Sequence, residues 1–363
     1  MTHCPLFVEL CAGTAALSLK LHAGQHARPP VSRMGAKTGY AHAILRVLGL
    51  RQGQGQADGT RYLWCEPDDG VRLMLHAYTD RELAQEAARI IRGWKDEEPR
   101  ALWERLRAEG PARCPPVEAR EVARVMWFRA RTMPQAQARG AGPGDFLPQV
   151  APSGTRRYSD HAPAQWLDVL PALPATITDD ARKVDPREVA RFALTGQWAF
   201  RRGHPESGFN AGLLKDREPT ATGGNGCKAR TCEQEAGLWA QCPELSSATI
   251  TDDARAIRPA MLPPGTVAYI DPPYQDTTGY AHTFPRYEWL PVVRAWAAAG
   301  ATVCVSEAEP IPDLVADGWH AVEITSTRKG QRRTFSKQQA EWLTLSREPS
   351  WRPAAQRSLF GTP

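Results

Sequence analysis

The apolar positions of this chain fall into two blocks of alternating strand-like and helix-like segments, separated by a long stretch without such order. Residues 6–12, Leu-Phe-Val-Glu-Leu-Cys-Ala, form a near-continuous apolar run, the pattern of a buried parallel strand. Gly13-Thr14 breaks the run, and Ala15 to His22 reads as the start of a helix. A second helix is expected over Ala43 to Leu50, and a second strand at Tyr62-Leu63-Trp64-Cys65, ending at Glu66. Between 80 and 108, Leu83, Ala87, Ile90, Ile91, Trp94, Leu102, Trp103 and Leu106 recur at helical spacing, interrupted by Pro99. A further helix is expected over 117–132.

From about 133 to 247 the texture changes. Gly, Pro, Arg, Ser and Thr dominate, and regular structure is expected only as a helix near 186–195. After 248 the alternation resumes. Val267-Ala268-Tyr269-Ile270 predicts a strand, Trp289 to Ala299 a helix, and Val303–Val305, Ala321–Ile324 and Glu341–Leu345 three more strands. Strands alternating with helices at both ends of the chain predict one α/β sheet interrupted by a polar insertion.

Composition narrows the class. Hydrophobic residues make up 42% of the 363 and charged residues 23%, a globular balance. The net charge is only +5, but the cations cluster. Arg328, Lys329, Arg332, Arg333 and Lys337 follow one another without an acid, and residues 100–139 hold nine Arg against four Glu. Such clusters suit a polyanion partner. The eight cysteines are scattered singly, which argues against a disulfide framework and for a reducing, cytoplasmic setting. No apolar run reaches membrane-spanning length, so no membrane association is expected.

The candidate chemistry lies at strand ends, where open parallel sheets bind ligands. Asp271-Pro272-Pro273-Tyr274 follows the strand at 267–270. Proline fixes φ and donates no N–H, so this corner is rigid and rich in acceptors. An exocyclic amine on a base needs such acceptors, and a flipped base needs an aromatic face such as Tyr274. Gly13-Thr14, after Glu9, is a turn that lets a cofactor approach the backbone. Glu66 is an acid suited to two ribose hydroxyls, and Asp252-Asp253 to an adenine amine. A glycine turn, a ribose acid and an adenine acceptor together describe a nucleoside cofactor. The turn lacks the G-x-G-x-x-G spacing of a pyrophosphate cradle, and Gly35-Ala36-Lys37-Thr38 lacks the earlier glycine and strand of a P-loop.

One repeat stands out. Ala-Thr-Ile-Thr-Asp-Asp-Ala-Arg occurs at 175–182 and again, identically, at 248–255. Only the second copy lies just upstream of Asp271, so the pocket role is expected of Asp252-Asp253 and not of Asp179-Asp180. His204, Cys227, Cys232 and Cys242 contain no C-x-x-C pair, and no metal is assigned to them.

These motifs, in this order, resemble those of the amino-group DNA methyltransferases, most closely the Dam-like adenine-N6 enzymes and their phage-type relatives. Phe7 to Ala16 resembles the family's motif around the first strand. Arg33-Met34-Gly35-Ala36-Lys37 resembles the Gly-Lys element at the methionine end of S-adenosylmethionine. Glu66 and Asp252-Asp253 match the acids after the second and third strands, and Asp271 to Tyr274 the catalytic motif. Ser306-Glu307, Arg328, Arg332-Arg333 and Glu341-Trp342-Leu343 resemble the tail of the pattern. Two departures are plain: Ala15 stands where many relatives have a second glycine, and the Gly-Lys element follows the first motif instead of preceding it.

The resemblance implies a Rossmann-like S-adenosylmethionine-dependent methyltransferase sheet with an inserted helical and loop-rich DNA-recognition region. The implied catalytic domain covers 1–80 and 245–347, with a helical covering segment at 81–132, a target-recognition insertion at 133–244 and a tail at 348–363. The implied catalytic residues are Asp271, Pro272, Pro273 and Tyr274. The implied cofactor residues are Phe7, Glu9, Gly13, Thr14, Lys37, Glu66, Asp252, Asp253 and Asp271. Arg201, Arg202, Arg328, Lys329, Arg332 and Arg333 are expected to contact double-stranded DNA from which the target base is flipped. Serine at 271 would favour cytosine N4 and asparagine a protein glutamine, so aspartate favours adenine N6. An inactive DNA-binding relative is the alternative of a different class, and a homodimer or a partner nuclease is left open.

Overall fold

The computed structural model describes residues 3–27, 29–31, 37–132, 146, 162–186, 189, 262–273, 284–324 and 341–351. The apolar runs form strands β1 (Leu6–Glu9), β2 (Arg61–Cys65), β3 (Ala175–Thr178), β4 (Val267–Ile270), β5 (Thr302–Glu307), β6 (His320–Ile324) and β7 (Glu341–Leu345). They make one seven-stranded sheet in the order β3-β2-β1-β4-β5-β7-β6. The first five strands in that order run parallel. β7 is antiparallel to both of its neighbours, β5 and β6. The protein is thus an α/β fold with a mixed, mostly parallel sheet of Rossmann-like order.

Parallel strands need helical crossovers, and helices on both faces bury both sides of each strand. One face presents Phe7, Tyr62, Trp64, Tyr269 and Cys304. Against it pack helices α1 (Ala16–Ala23), α2 (Ala41–Val47), α3 (Gln54–Ala57), α4 (Asp69–Thr79), α5 (Arg81–Gly93), α6 (Pro99–Ala108), α7 (Ala119–Arg131) and α8 (Ala162–Asp168), directly or as a second layer. The other face presents Leu6, Val8, Leu63, Cys65, Ala268, Ile270, Val303 and Val305. It is covered by α9 (Arg286–Ala298) and α10 (Pro312–Ala316), with Trp289, Val293 and Trp296 of α9 fully buried. Full burial of each such side chain stabilises the fold by ~1.5–3 kcal/mol.

Local signals set the helix starts. Asp68 caps α4 by accepting from Val71 N at 3.0 Å, and Asp80 caps α5 by accepting from Leu83 N at 3.0 Å. Glu98 accepts from Arg100 N and Ala101 N ahead of Pro99, the first residue of α6. The helical pattern of 80–108 is therefore two helices, broken where Pro99 begins the second. The helix expected at 43–50 spans Ala41–Val47 instead.

Within the segment expected as an insertion at 133–244, the described residues contribute to the sheet layer: α8 packs on α5, and β3 pairs with β2 from Tyr62↔Ala175 to Cys65↔Thr178. Leu167, Leu170 and Leu173 draw it in by burying their side chains. The strand at this edge is, moreover, the first copy of the repeated octapeptide. The second copy lies outside the described residues, as does most of the helix expected near 186–195. No described helix is long and apolar enough to cross a membrane.

Candidate functional site

In this strand order the chain reverses direction of growth between β1 and β4, and the crevice beyond their carboxyl ends is the expected ligand site. Backbone bonds hold the loops there together. Leu10 N donates to Tyr269 O at 2.9 Å, Ala12 N to Cys65 O at 3.0 Å and Glu66 N to Thr178 O at 2.9 Å.

The turn after β1 is tight. Gly13 has φ 52° and Ala15 has φ 46°, both left-handed. Glycine tolerates that region, whereas an L side chain there costs roughly 1–2 kcal/mol. Ala15 is the sole described non-glycine residue with positive φ, and it is fully buried at the N-cap of α1. The sequence departure noted above thus coincides with the strained position of the turn. A Cβ added at Gly13 would meet nothing within 4 Å, so the backbone faces open space there.

Glu66 ties this turn to the end of β2. Its Oε2 accepts from Gly13 N at 2.8 Å and its Oε1 from Asp68 N at 3.1 Å. These two bonds hold the carboxylate in one orientation. Beside it, Asp179 and Asp180 follow β3. Both lie close enough to add to the rise that burial imposes on the Cys65 thiol, as does Glu66. Asp180 Oδ1 accepts from Arg182 N at 2.9 Å, and Arg182 reaches Glu288 of α9 at 2.7 Å. The acids that follow β3, the strand beside β2, are therefore Asp179-Asp180, while Asp252-Asp253 lie outside the described residues. The two octapeptides are locally identical, so only the sheet itself distinguishes them.

Glu9, the last residue of β1, is buried. Its Oε1 accepts from Ser18 N at 3.0 Å and Ser18 Oγ at 2.5 Å, and Trp64 Nε1 donates to Ser18 Oγ at 2.9 Å. Burial pushes the Glu9 carboxyl up to about 7, opposed by the Ser18 hydrogen bonds and reinforced by the charge of Asp271.

Asp271 follows β4 and is paired. Lys37 Nζ lies 2.7 Å from its Oδ1 and 3.5 Å from Glu341 Oε1. Ser306, in β5, donates to the same Glu341 oxygen. Lys37 opens a single 3-10 turn, Lys37–Gly39, just before α2, and its side chain is 7% exposed against 19% for Asp271. Next to this group, Glu307 ends β5. Burial raises its carboxyl to about 7, with Asp271 adding to the rise and Arg286 and Lys37 opposing it. Among the described residues its Oε1 has no hydrogen-bond partner.

The structure thus brings Glu9, Gly13, Thr14, Lys37, Glu66, Asp271, Pro272 and Pro273 to one end of the sheet. Phe7 does not join them. It lies early in β1, fully buried, with its ring edge-on to Tyr62 at 6.5 Å, and serves the core. Tyr274, Asp252, Asp253, Arg201, Arg202, Arg328, Lys329, Arg332 and Arg333 lie outside the described residues, as do His204, Cys227, Cys232 and Cys242. Among the described residues no group of His, Cys, Asp or Glu is placed to hold a metal ion. Sequence reasoning missed Ser18, the partner of Glu9, for which no motif exists. It also missed the contact of Lys37 with Asp271, having assigned Lys37 to the cofactor alone. In comparison with known proteins, no protein-family model and no curated protein sequence matches the chain.

Proposed function

We propose that the protein is an S-adenosylmethionine-dependent DNA methyltransferase that acts on adenine N6. The observation that carries this reading is the position of Asp271-Pro272-Pro273. It follows β4 at the switch point, beside the Gly13 turn that Glu66 holds from β2.

The donor set fits a nucleoside cofactor bearing a sulfonium. Glu66 offers oriented carboxylate oxygens to ribose hydroxyls, Gly13 and Thr14 offer backbone with open space above the glycine, and Asp179-Asp180 offer acceptors to an adenine amine. The bound cofactor supplies an electrophilic methyl group. The reaction then requires a correctly aimed amine, and the chain's residues are suited to that positioning. Asp271, oriented by Lys37 at its Oδ1, is the acceptor for the exocyclic N–H of a flipped base. The Pro272 carbonyl is the second acceptor, and Tyr274 the stacking surface. Proline at 272 and 273 leaves no competing N–H in this corner.

DNA contacts are assigned to Arg201, Arg202, Arg328, Lys329, Arg332 and Arg333, whose phosphate bonds would make binding salt-dependent. The test is incubation of the purified protein with methyl-labelled S-adenosylmethionine and duplex DNA, followed by nucleoside digestion. Label in N6-methyladenine is expected. Label in N4-methylcytosine would reassign the base, and cofactor binding without transfer to any DNA would favour a binding protein.

A further inference from the structure

The outer edge of β2 carries a peptide whose sequence the chain contains twice. Residues 175–182 run from β3 through Asp179-Asp180 into the 3-10 turn Ala181–Lys183, and residues 248–255 repeat them without a change. The likeness continues for one more turn. Lys183-Val184-Asp185-Pro186 is matched by Ala256-Ile257-Arg258-Pro259. Val184 and Pro186 are buried, and their counterparts keep an apolar side chain and a proline.

The contacts that hold the first copy are ones the second can also make. Pairing with β2 from Tyr62 to Cys65 uses Ala-Thr-Ile-Thr, and Glu66 N bonds a threonine carbonyl. The turn uses the second aspartate to cap the arginine N–H, and that arginine to reach Glu288. β3 is an end strand of the seven-stranded sheet, and each of its residues is only half-buried. Leaving the sheet would therefore break one ladder and not two. Connection lengths discriminate weakly. The first copy leaves residues 169–174 and 179–266 as links, and the second would leave 169–247 and 252–266. Loop-closure weights favour the first by only about threefold. A further bias is Leu173, whose N–H donates to Tyr78 O at 2.7 Å and whose side chain is buried, whereas its counterpart is Ser246.

We propose that the outer edge of β2 is a docking surface for the chain's own second octapeptide, residues 248–255, which replaces residues 175–182 there in an intramolecular strand exchange. The exchange moves the segment between the two copies from the carboxyl side of the edge strand to its amino side. It does not depend on the methyltransferase reading.

The test uses the full chain and needs no activity. Proline cannot donate to a strand ladder, so Thr176→Pro disables the first copy and Thr249→Pro the second. Hydrogen exchange is followed in 61–66, where Tyr62 N and Glu66 N donate to the edge strand. Each single variant is expected to stay folded, with protection of these amides within about tenfold of the unmodified chain. The double variant is expected to lose at least a hundredfold of it. Loss in Thr176→Pro alone equal to that in the double variant, including failure to fold, would overturn the proposal, and so would full protection in the double variant. A trap identifies the occupant. Cys65 lies in register with Thr178, whose counterpart is Thr251. In the Thr176→Pro background, Thr251→Cys is expected to give a disulfide to Cys65 within one chain. A disulfide formed only between two chains, or none, would contradict an intramolecular exchange.

Discussion

Lys37 Nζ lies 2.7 Å from Asp271 Oδ1, joining the turn before α2 to the end of β4. The same ammonium stands 3.5 Å from Glu341 of β7, so one cation balances two carboxylates from different strands. Removing it leaves both acids without that partner in a largely buried place. Breaking such a pair costs much more than the intact pair contributes.

Lys37→Met is therefore expected to lower unfolding stability by about 2–4 kcal/mol at neutral pH. Urea unfolding checks this, with Lys37→Arg, which keeps the charge, as the comparison. A deficit as large in Lys37→Arg as in Lys37→Met would mean lost packing and not lost charge balance. Methyl transfer should fall as well, since Asp271 loses the group that orients it.

Ala15→Gly is expected to stabilise the protein. Relief of a left-handed alanine gains roughly 1–2 kcal/mol, and the freer unfolded chain takes back roughly 0.4–1. A rise in the thermal midpoint is the expected result. A fall would show that the Ala15 methyl group, buried under α1, contributes more by packing than it loses by strain.

Glu9 makes stability pH-dependent. Its folded carboxyl is raised by burial to about 7, against an ordinary value of 4.5. Between these values the folded state keeps a proton that the unfolded chain has given up. The stabilising contribution is full below about 4.5 and is lost as pH rises to about 7. Glu307, raised for the same reason, acts in the same direction. Glu9→Gln should flatten the decline of the urea midpoint between pH 5 and 8, and an unchanged slope would show that Glu9 titrates normally.

The first, second, fourth and fifth strands were legible because each is an uninterrupted apolar run closed by a distinctive residue: Glu9 and Gly13, Glu66, Asp271, Glu307. β3 was not. It has four residues, of which only Ala and Ile are apolar, and it lies half-buried at a sheet edge where pattern is weak. Its identical twin left no local signal to choose between them. The α8 helix, Ala-Pro-Ala-Gln-Trp-Leu-Asp, is too short to show a period. That Glu9, Glu66 and Asp271 stand at strand ends was readable, and the pairings around them were not. Nothing in the sequence joins Lys37 to Asp271 or Glu9 to Ser18, because the fold alone brings them together.

The position of β3 puts a second pair of acids beside Glu66, which can be tested. Changing Asp179 and Asp180 together to Asn is expected to weaken S-adenosylmethionine binding, because the pair follows the strand beside Glu66. Losing the charge from such hydrogen bonds corresponds to roughly tenfold in affinity. Calorimetric titration measures it. An unchanged affinity would leave these acids as a cap for Arg182 and nothing more.

In the proposed reaction, Asp271 holds the amine that is methylated. The most direct measurement compares Asp271→Ala with the unmodified protein in two assays, label transfer from S-adenosylmethionine to duplex DNA and cofactor affinity by titration. Transfer is expected to fall by about a hundredfold or more, the usual effect of deleting a positioned catalytic group, while cofactor affinity stays within about threefold. Transfer by the variant at a rate close to that of the unmodified protein would contradict the claim.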